Sequence, residues 1–253
     1  MRFVSLGSGS RGNATLIEAG ATRLLLDCGF TVRELERRLS QLDIAAETLD
    51  AILLTHEHQD HLRGVGALAR RYGLPVWLTH GTFRSPRLGE LPAPRLIHSH
   101  QASFRVGAIE IAPYPVPHDA LEPVQFVFQS GRSRLGVLTD AGMITPHIID
   151  MLASTTALLI ECNHDTEMLA NGPYPIALQR RVGGRLGHLS NRQAAELLAG
   201  LDHTGLEHLV VGHLSEKNNT PELARQALLS VSPGLESRLT LTCQDQVTGW
   251  FDS

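Results

Sequence analysis

The chain has 253 residues, 42% of them apolar and 19% charged, enough to bury a substantial core as one large α/β domain or two small ones. A net charge of −4 excludes a general polycation. No run approaches the roughly 20 apolar residues that a bilayer span needs, so no membrane partner is expected.

The first half alternates strand and helix patterns. Apolar β-type runs occur at Phe3–Leu6, Ala14–Glu18, Arg23–Asp27 and Ala51–Leu54, and helical periodicity fits Val32–Leu42 and Leu62–Tyr72. Gly73-Leu74-Pro75 stops the second helix ahead of a short strand, Val76–Leu78. The middle is strand-rich, with Phe104–Val106, Ile109–Tyr114, Val124–Phe128 and Arg134–Leu138 spaced like hairpins. A helix at Thr145–Leu152 leads to an apolar strand, Ala157–Ile160. Asn171–Gly187, with Pro173, Pro175, Gly183 and Gly184, reads as loop. Helix Asn191–Leu201 precedes strand His208–Val211, and helix Pro221–Val231 precedes strands Arg238–Thr242 and Thr248–Phe251. Two β-rich halves, each closed by helices, suggest two sheets sandwiched between helical layers.

Cys28, Cys162 and Cys243 are far apart and form no C-x-x-C pair. Reduced, buried thiols are expected, and with no basic-plus-apolar signal pattern after Met1 the expected location is the cytoplasm. Gly7-Ser8-Gly9-Ser10-Arg11-Gly12 matches the dinucleotide fingerprint, but Asn13–Glu18 continues as strand. With no helix N-terminus to hold a pyrophosphate, a tight inter-strand loop is the better reading.

The densest chemistry is Thr55-His56-Glu57-His58-Gln59-Asp60-His61, directly after the apolar strand Ala51–Leu54. H-E-x-x-H does not fit, because residue 60 is aspartate. His56 and His58, two apart on extended chain, share a face. Asp60 and His61 open the following helix. One small ion cannot easily take all four from so tight a loop, whereas two neighbouring ions can divide them into pairs. Imidazole and carboxylate suit zinc, manganese or iron. His118, Asp140 and His213 each follow an apolar strand and are candidates to complete the set.

T-H-x-H-x-D-H followed by separate His, Asp and His strand-end motifs resembles the metallo-β-lactamase superfamily over the whole chain. Within it, Ser8–Ala14, His118–Pro123, Glu161–Asp165, Gly187–Asn191 and His213–Asn219 resemble the YycJ/WalJ group of bacterial nucleases. The resemblance implies an α/β fold of four layers, αββα, with two mixed sheets flanked by helices. It implies one domain over residues 1–253, since a β-CASP insertion of about 100 residues or more finds no room. Asp27 would buttress the metal loop. One divalent ion would take His56, His58 and His118, the other Asp60, His61 and His213, with Asp140 bridging and a hydroxide between the ions as nucleophile.

His188, in Gly187-His188-Leu189-Ser190-Asn191, resembles the helix-opening histidine of ribonuclease Z and would act beside Asp60 as a catalytic group. Ser190 or Asn191 would cap the next helix. Asn163 and His164 end another strand, and Arg180, Arg181, Arg185 and Arg192 surround the His188 motif. Substrate contacts are expected from Asn163, His164, Arg180, Arg181 and Arg185, a solvated basic loop being the alternative. The implied activity is a phosphodiesterase acting on nucleic acid, a DNA exonuclease of 5′ to 3′ polarity. The competing readings are a small-molecule thioesterase, lactonase or cyclic phosphodiester hydrolase, and a metal-binding regulator without turnover.

Overall fold

A computed structural model describes residues 1–253. The strands are β1 (Arg2–Gly7), β2 (Ala14–Ala19), β3 (Thr22–Leu26), β4 (Ala51–Leu53), β5 (Pro75–Thr79), β6 (Ala93–Ile97), β7 (Phe104–Val106), β8 (Ile109–Pro115), β9 (Val124–Ser130), β10 (Ser133–Leu138), β11 (Ala157–Glu161), β12 (His208–Gly212), β13 (Leu239–Leu241) and β14 (Phe251–Asp252). The helices are α1 (Val32–Ser40), α2 (Gln59–Leu62), α3 (Val65–Tyr72), α4 (His80–Phe83), α5 (Pro146–Leu152), α6 (Thr166–Asn171), α7 (Ile176–Val182), α8 (Asn191–Gly200) and α9 (Pro221–Val231).

Two seven-stranded sheets form, in the orders β14-β1-β2-β3-β4-β5-β6 and β13-β12-β11-β10-β9-β8-β7. Both are mixed: hairpins such as β2–β3 and β8–β9 are antiparallel, and β3–β4–β5 and β10–β11–β12 run parallel. The halves of the chain map onto the two sheets except at the end, where β14 crosses back to pair with β1.

Three apolar cores separate the layers. Leu24 and Leu26 of β3 point between the sheets, with Phe126 and Phe128 of β9. Leu25 points the other way, onto Leu35 and Leu39 of α1 and Leu68 of α3. This period-two alternation lets one strand serve two cores. The third core packs Leu158 and Ile160 of β11 and Val211 of β12 against α5, α8 and α9. The four-layer αββα architecture follows directly.

Several expectations need correction. Asn171–Gly187 is not all loop: it contains α7, because Pro175 sits at the N-cap and Gly183 at the C-cap, flanking the helix without interrupting it. The helix read as Leu62–Tyr72 is split into α2 and α3 at Gly64, where a Cβ would lie 2.2 Å from Phe30 O and 2.7 Å from Cys28 Sγ. The half-exposed edge strand β6 and the short α6 went unread. The final strand covers only Phe251–Asp252. Cys28 and Cys162 are buried, and burial pushes the Cys28 thiol up to about 12, but Cys243 is exposed. No helix is long and apolar enough to cross a membrane.

Candidate metal centre

The site forms where strands of both sheets end. His56, His58, Asp60 and His61 follow β4. His118 follows β8, Asp140 follows β10, Glu161 ends β11 and His213 follows β12. Asp27, Asp140 and His213 take positive φ of 59°, 54° and 53°. Such left-handed backbone is costly outside glycine, and Asp tolerates it better than most residues. It turns the chain sharply at the sheet edge, so that side chains converge there.

Three ligand groups result, two of them made of the expected ligands. The ring nitrogens of His56, His58 and His118 form one, Asp60, His61, Asp140 and His213 form the second, and Asp140 and His213 recur with Glu161 and His188 in a third, all ligand atoms within each group lying within 4.8 Å of one another. Asp140 lies between the first two: Oδ2 is 3.1 Å from His61 Nε2, and Oδ1 is 3.2 Å from His213 Nδ1 and 3.9 Å from His118 Nε2.

The donor atoms fit a divalent cation. His118 Nδ1 donates to Gly187 O at 2.9 Å, which turns Nε2 toward His58 Nδ1 at 3.1 Å. Two imidazole nitrogens on a tetrahedral ion at about 2.0–2.1 Å would be about 3.3 Å apart. His56 Nδ1 lies 2.9 Å from Thr55 Oγ1, and its Nε2 is buried with no hydrogen-bond partner. An orphaned imidazole nitrogen beside two others is a polar group that a cation satisfies.

The support behind these groups is equally specific. Asp27 Oδ1 accepts from Thr55 N at 2.9 Å, and Oδ2 accepts from Thr55 Oγ1 at 2.9 Å and from His61 Nδ1 at 2.7 Å. With Nδ1 so held, His61 turns Nε2 to the ligand group, as the buttress role of Asp27 implies. Asn13, in the glycine loop, places Nδ2 3.3 Å from Asp60 Oδ2 and 3.2 Å from His61 Nε2. That loop does reach the site. Gly29 is required there, because a Cβ would come 1.8 Å from Asp60 O.

Charge explains the titration of the group. Burial would raise Asp60, but the charges of His61 and His213 outweigh it and hold the carboxyl well below its usual range. Asp140 is likewise held down against burial by His213 and His61. Glu161 is buried, which opposes its ionisation, yet His188 and His213 bring it to about 2. In return, Asp140, Asp60 and Glu161 overcome the burial of His213 and raise it to about 10. Asp140, Asp60 and Asp27 raise His61 in the same way.

His188 joins from the α8 side. Its Nδ1 lies 3.2 Å from Glu161 Oε2, and the same oxygen is 3.3 Å from His213 Nδ1. Glu161 also accepts from the backbone N–H of Ala141 and of Leu189, both at 2.9 Å. Sequence reasoning missed Glu161 and Asn13 as individual residues. A carboxylate ending the wholly apolar strand β11 was the available sign for the first.

Of these groups His58, Asp60, Asp140, His188 and His213 line an open cavity of about 340 Å³, shared with Ser10, Asn163, Tyr174, Arg181 and Ser215. Of the expected substrate contacts, Asn163 is on this wall, its Nδ2 donating to His213 O at 3.0 Å. Arg181 is at the rim, paired with Asp119 at 2.5 Å. His164 and Arg180 face a neighbouring cavity, and Arg185 lines neither. Ser190 caps α8 through a capping box with Gln193.

Two sheets between helical layers, with a buttressed His/Asp centre at the strand ends, define a metal-dependent hydrolase of the metallo-β-lactamase fold. The Beta-lactamase superfamily domain model matches residues 22–214, and the chain belongs to that superfamily. It is 34% identical over 241 residues to the exodeoxyribonuclease YycJ of Bacillus anthracis, covering 94% of this chain and 90% of the relative. It is 34% identical over 234 residues to the exodeoxyribonuclease WalJ of Streptococcus pneumoniae, with 90% and 87% covered. Among solved structures, the metallo-β-lactamase fold protein YhfI of Bacillus subtilis superposes with a TM-score of 0.75 over 98% of both chains, at 19% identity. The last likeness speaks to fold alone.

Proposed function

We propose that the protein is a nuclease that hydrolyses phosphodiester bonds of DNA, removing nucleotides from the 5′ end, with two divalent ions of zinc, manganese or iron. The observation that carries this reading is the pair His188–Glu161, set against the Asp140–His213 end of the ligand group in an open polar cavity. Full-length similarity to two exodeoxyribonucleases supports the substrate class.

Bound divalent ions would supply positive charge for the phosphoryl oxygens and an acidified water as nucleophile. His56, His58 and His118 would hold one, Asp60, His61 and His213 the other, with Asp140 between. The chain's own residues supply the rest. Glu161 fixes His188 through Nδ1, so Nε2 is the ring atom available to a substrate. As the water oxygen forms its bond to phosphorus and releases its proton to solvent, the P–O bond to the sugar breaks; His188, entering as the imidazolium, gives its Nε2 proton to the leaving oxygen and is left neutral with Nδ1–H on Glu161. Arg181 at the rim attracts the backbone charge.

The test uses single- and double-stranded DNA and RNA, labelled at either end, with Mn²⁺ or Zn²⁺, and compares the parent with Asp60→Ala. Stepwise loss from the 5′ end, abolished in Asp60→Ala, is expected. Turnover of a small ester with no cleavage of any polymer would overturn the reading.

A further inference from the structure

A second cavity, of about 510 Å³, lies beside the metal cavity. The short helix α7 partitions the two. Leu178, Arg181 and Val182 line the metal side, and Gln179, Arg180 and Gly183 line the other. His188 and Ser190, two residues apart, divide in the same way.

The second cavity has the chemistry of an anion site. Arg180 and Arg192 line it, and no carboxylate does, although the chain as a whole carries a net charge of −4. Arg180 pairs with no acidic group, and Arg192 meets Glu196 through Nη1 alone, at 2.8 Å. The ten-residue helix α8 opens on the cavity through its N-cap Ser190 and its third residue, Gln193. Its positive dipole end favours a negative group there.

Independently, His164 lines this cavity at only 2% exposure. Its backbone is tied to the α8 entry by the bridge to Ser190 and by Asn191 N donating to His164 O at 2.9 Å. Its imidazole makes no hydrogen bond to protein, and Nδ1 is wholly buried without a partner. Burial lowers its pKa to about 4, so near neutrality the ring is uncharged and keeps one N–H to donate. The other ring nitrogen, Nε2, lies 3.9 Å from where a Cβ on Gly183 of the cavity wall would stand and also has no protein partner, so it is the atom a ligand in the cavity would meet.

We propose that this cavity is a phosphate subsite, holding a backbone phosphate of the nucleic-acid strand whose scissile bond lies in the metal cavity, with the strand passing over α7. This rests on the nuclease reading. The ligand is a phosphodiester oxygen pair, met by the forks of Arg180 and Arg192, the α8 N-terminus and the His164 N–H.

The test uses the metal-loaded protein and the double variant Arg180→Gln/Arg192→Gln. Both arginines are exposed, so the variant keeps the fold. Inorganic phosphate is titrated while the His164 ring is followed by NMR, and a phosphorothioate DNA strand is bound at several salt concentrations. The His164 resonances should move with phosphate in the parent and stay fixed in the variant. The variant should bind the strand at least about tenfold more weakly. Its plot of log affinity against log salt should be shallower by about 0.7. His164 resonances that ignore phosphate overturn the subsite. Movement with phosphate but unchanged strand affinity in the variant overturns the strand assignment and leaves a site for small phosphates. A protein that neither binds nor cleaves DNA fails at the nuclease reading. One that cleaves DNA, with strand affinity and salt slope unaltered in the variant, fails here alone.

Discussion

Asp27→Asn tests whether the residues behind the metal centre set its affinity. The Asp27 carboxylate accepts three hydrogen bonds, from Thr55 N, Thr55 Oγ1 and His61 Nδ1. A carboxamide of the same shape has one oxygen. If that oxygen faces Thr55 N, its NH₂ meets His61 Nδ1, and the proton must move to Nε2, the atom aimed at the ligand group. If the amide flips, its NH₂ meets the Thr55 N–H inside the protein. Either way one charge-assisted bond is lost, about 1.5–3 kcal/mol. At 1.4 kcal/mol per factor of ten this is about 10–100-fold in metal affinity, the range common for such supporting carboxylates. The assay is competition with a chromogenic chelator, with circular dichroism to verify the fold. Activity should return when metal is raised in proportion. A folded Asp27→Asn protein whose metal affinity changes less than threefold would refute the reasoning.

Three further outcomes are expected. Gly29→Ala pushes a methyl into Asp60 O, and overpacking of about 1–3 kcal/mol should lower the melting temperature by roughly 2–12 °C and weaken metal binding; calorimetry showing neither would contradict the close approach. Metal uptake near pH 8 should release about two protons, because His61 and His213, the latter raised to about 10, must lose theirs to become ligands; heats in buffers of different ionisation enthalpy would reveal it. Glu34 is brought down to about 2 by Arg37, against burial, together with Arg38, so its stabilisation is complete above its ordinary value of 4.5 and fades as pH falls toward 2. Glu34→Gln should therefore cost about 1 kcal/mol at pH 6 in urea unfolding, and a gap that persists at pH 2 would count against the pairing.

Much of the site was legible because its chemistry is local. His56, His58, Asp60 and His61 sit in one loop, and His118, Asp140 and His213 each announce themselves as a ligand-type residue after an apolar strand. Glu161 and Asn13 were less visible, since their value depends on who meets them. Glu161 sits in a run that also reads as ordinary strand, and only the convergence of β11, β12 and α8 gives it two histidines. The fold was readable wherever a short continuous apolar run marked a strand buried on both faces, as in β3 and β9. It failed where another term dominated. Pro94 and half-exposed residues hid β6, which needs only one hydrogen-bonded edge. Proline and glycine around α7 looked like breakers and proved to be caps. His80 and His98, read as ordinary residues, stack with ring centroids 5.2 Å apart but join no ligand group.

The distribution of ligands over two sheets has a mechanical consequence. The loop after β4 belongs to one sheet, and His118, Asp140 and His213 belong to the other. A divalent metal held between them would act as a rivet across the mouth of the sandwich, at an edge where both sheets end in sharp left-handed turns rather than in apolar contact. Stripping the ions should loosen that mouth while the three cores stay shut. Amide exchange should then quicken first around Thr55–His61 and Thr139–Gly142. A metal-starved cell would meet a chain that is folded, but open to proteases at the place where it would otherwise grip its substrate.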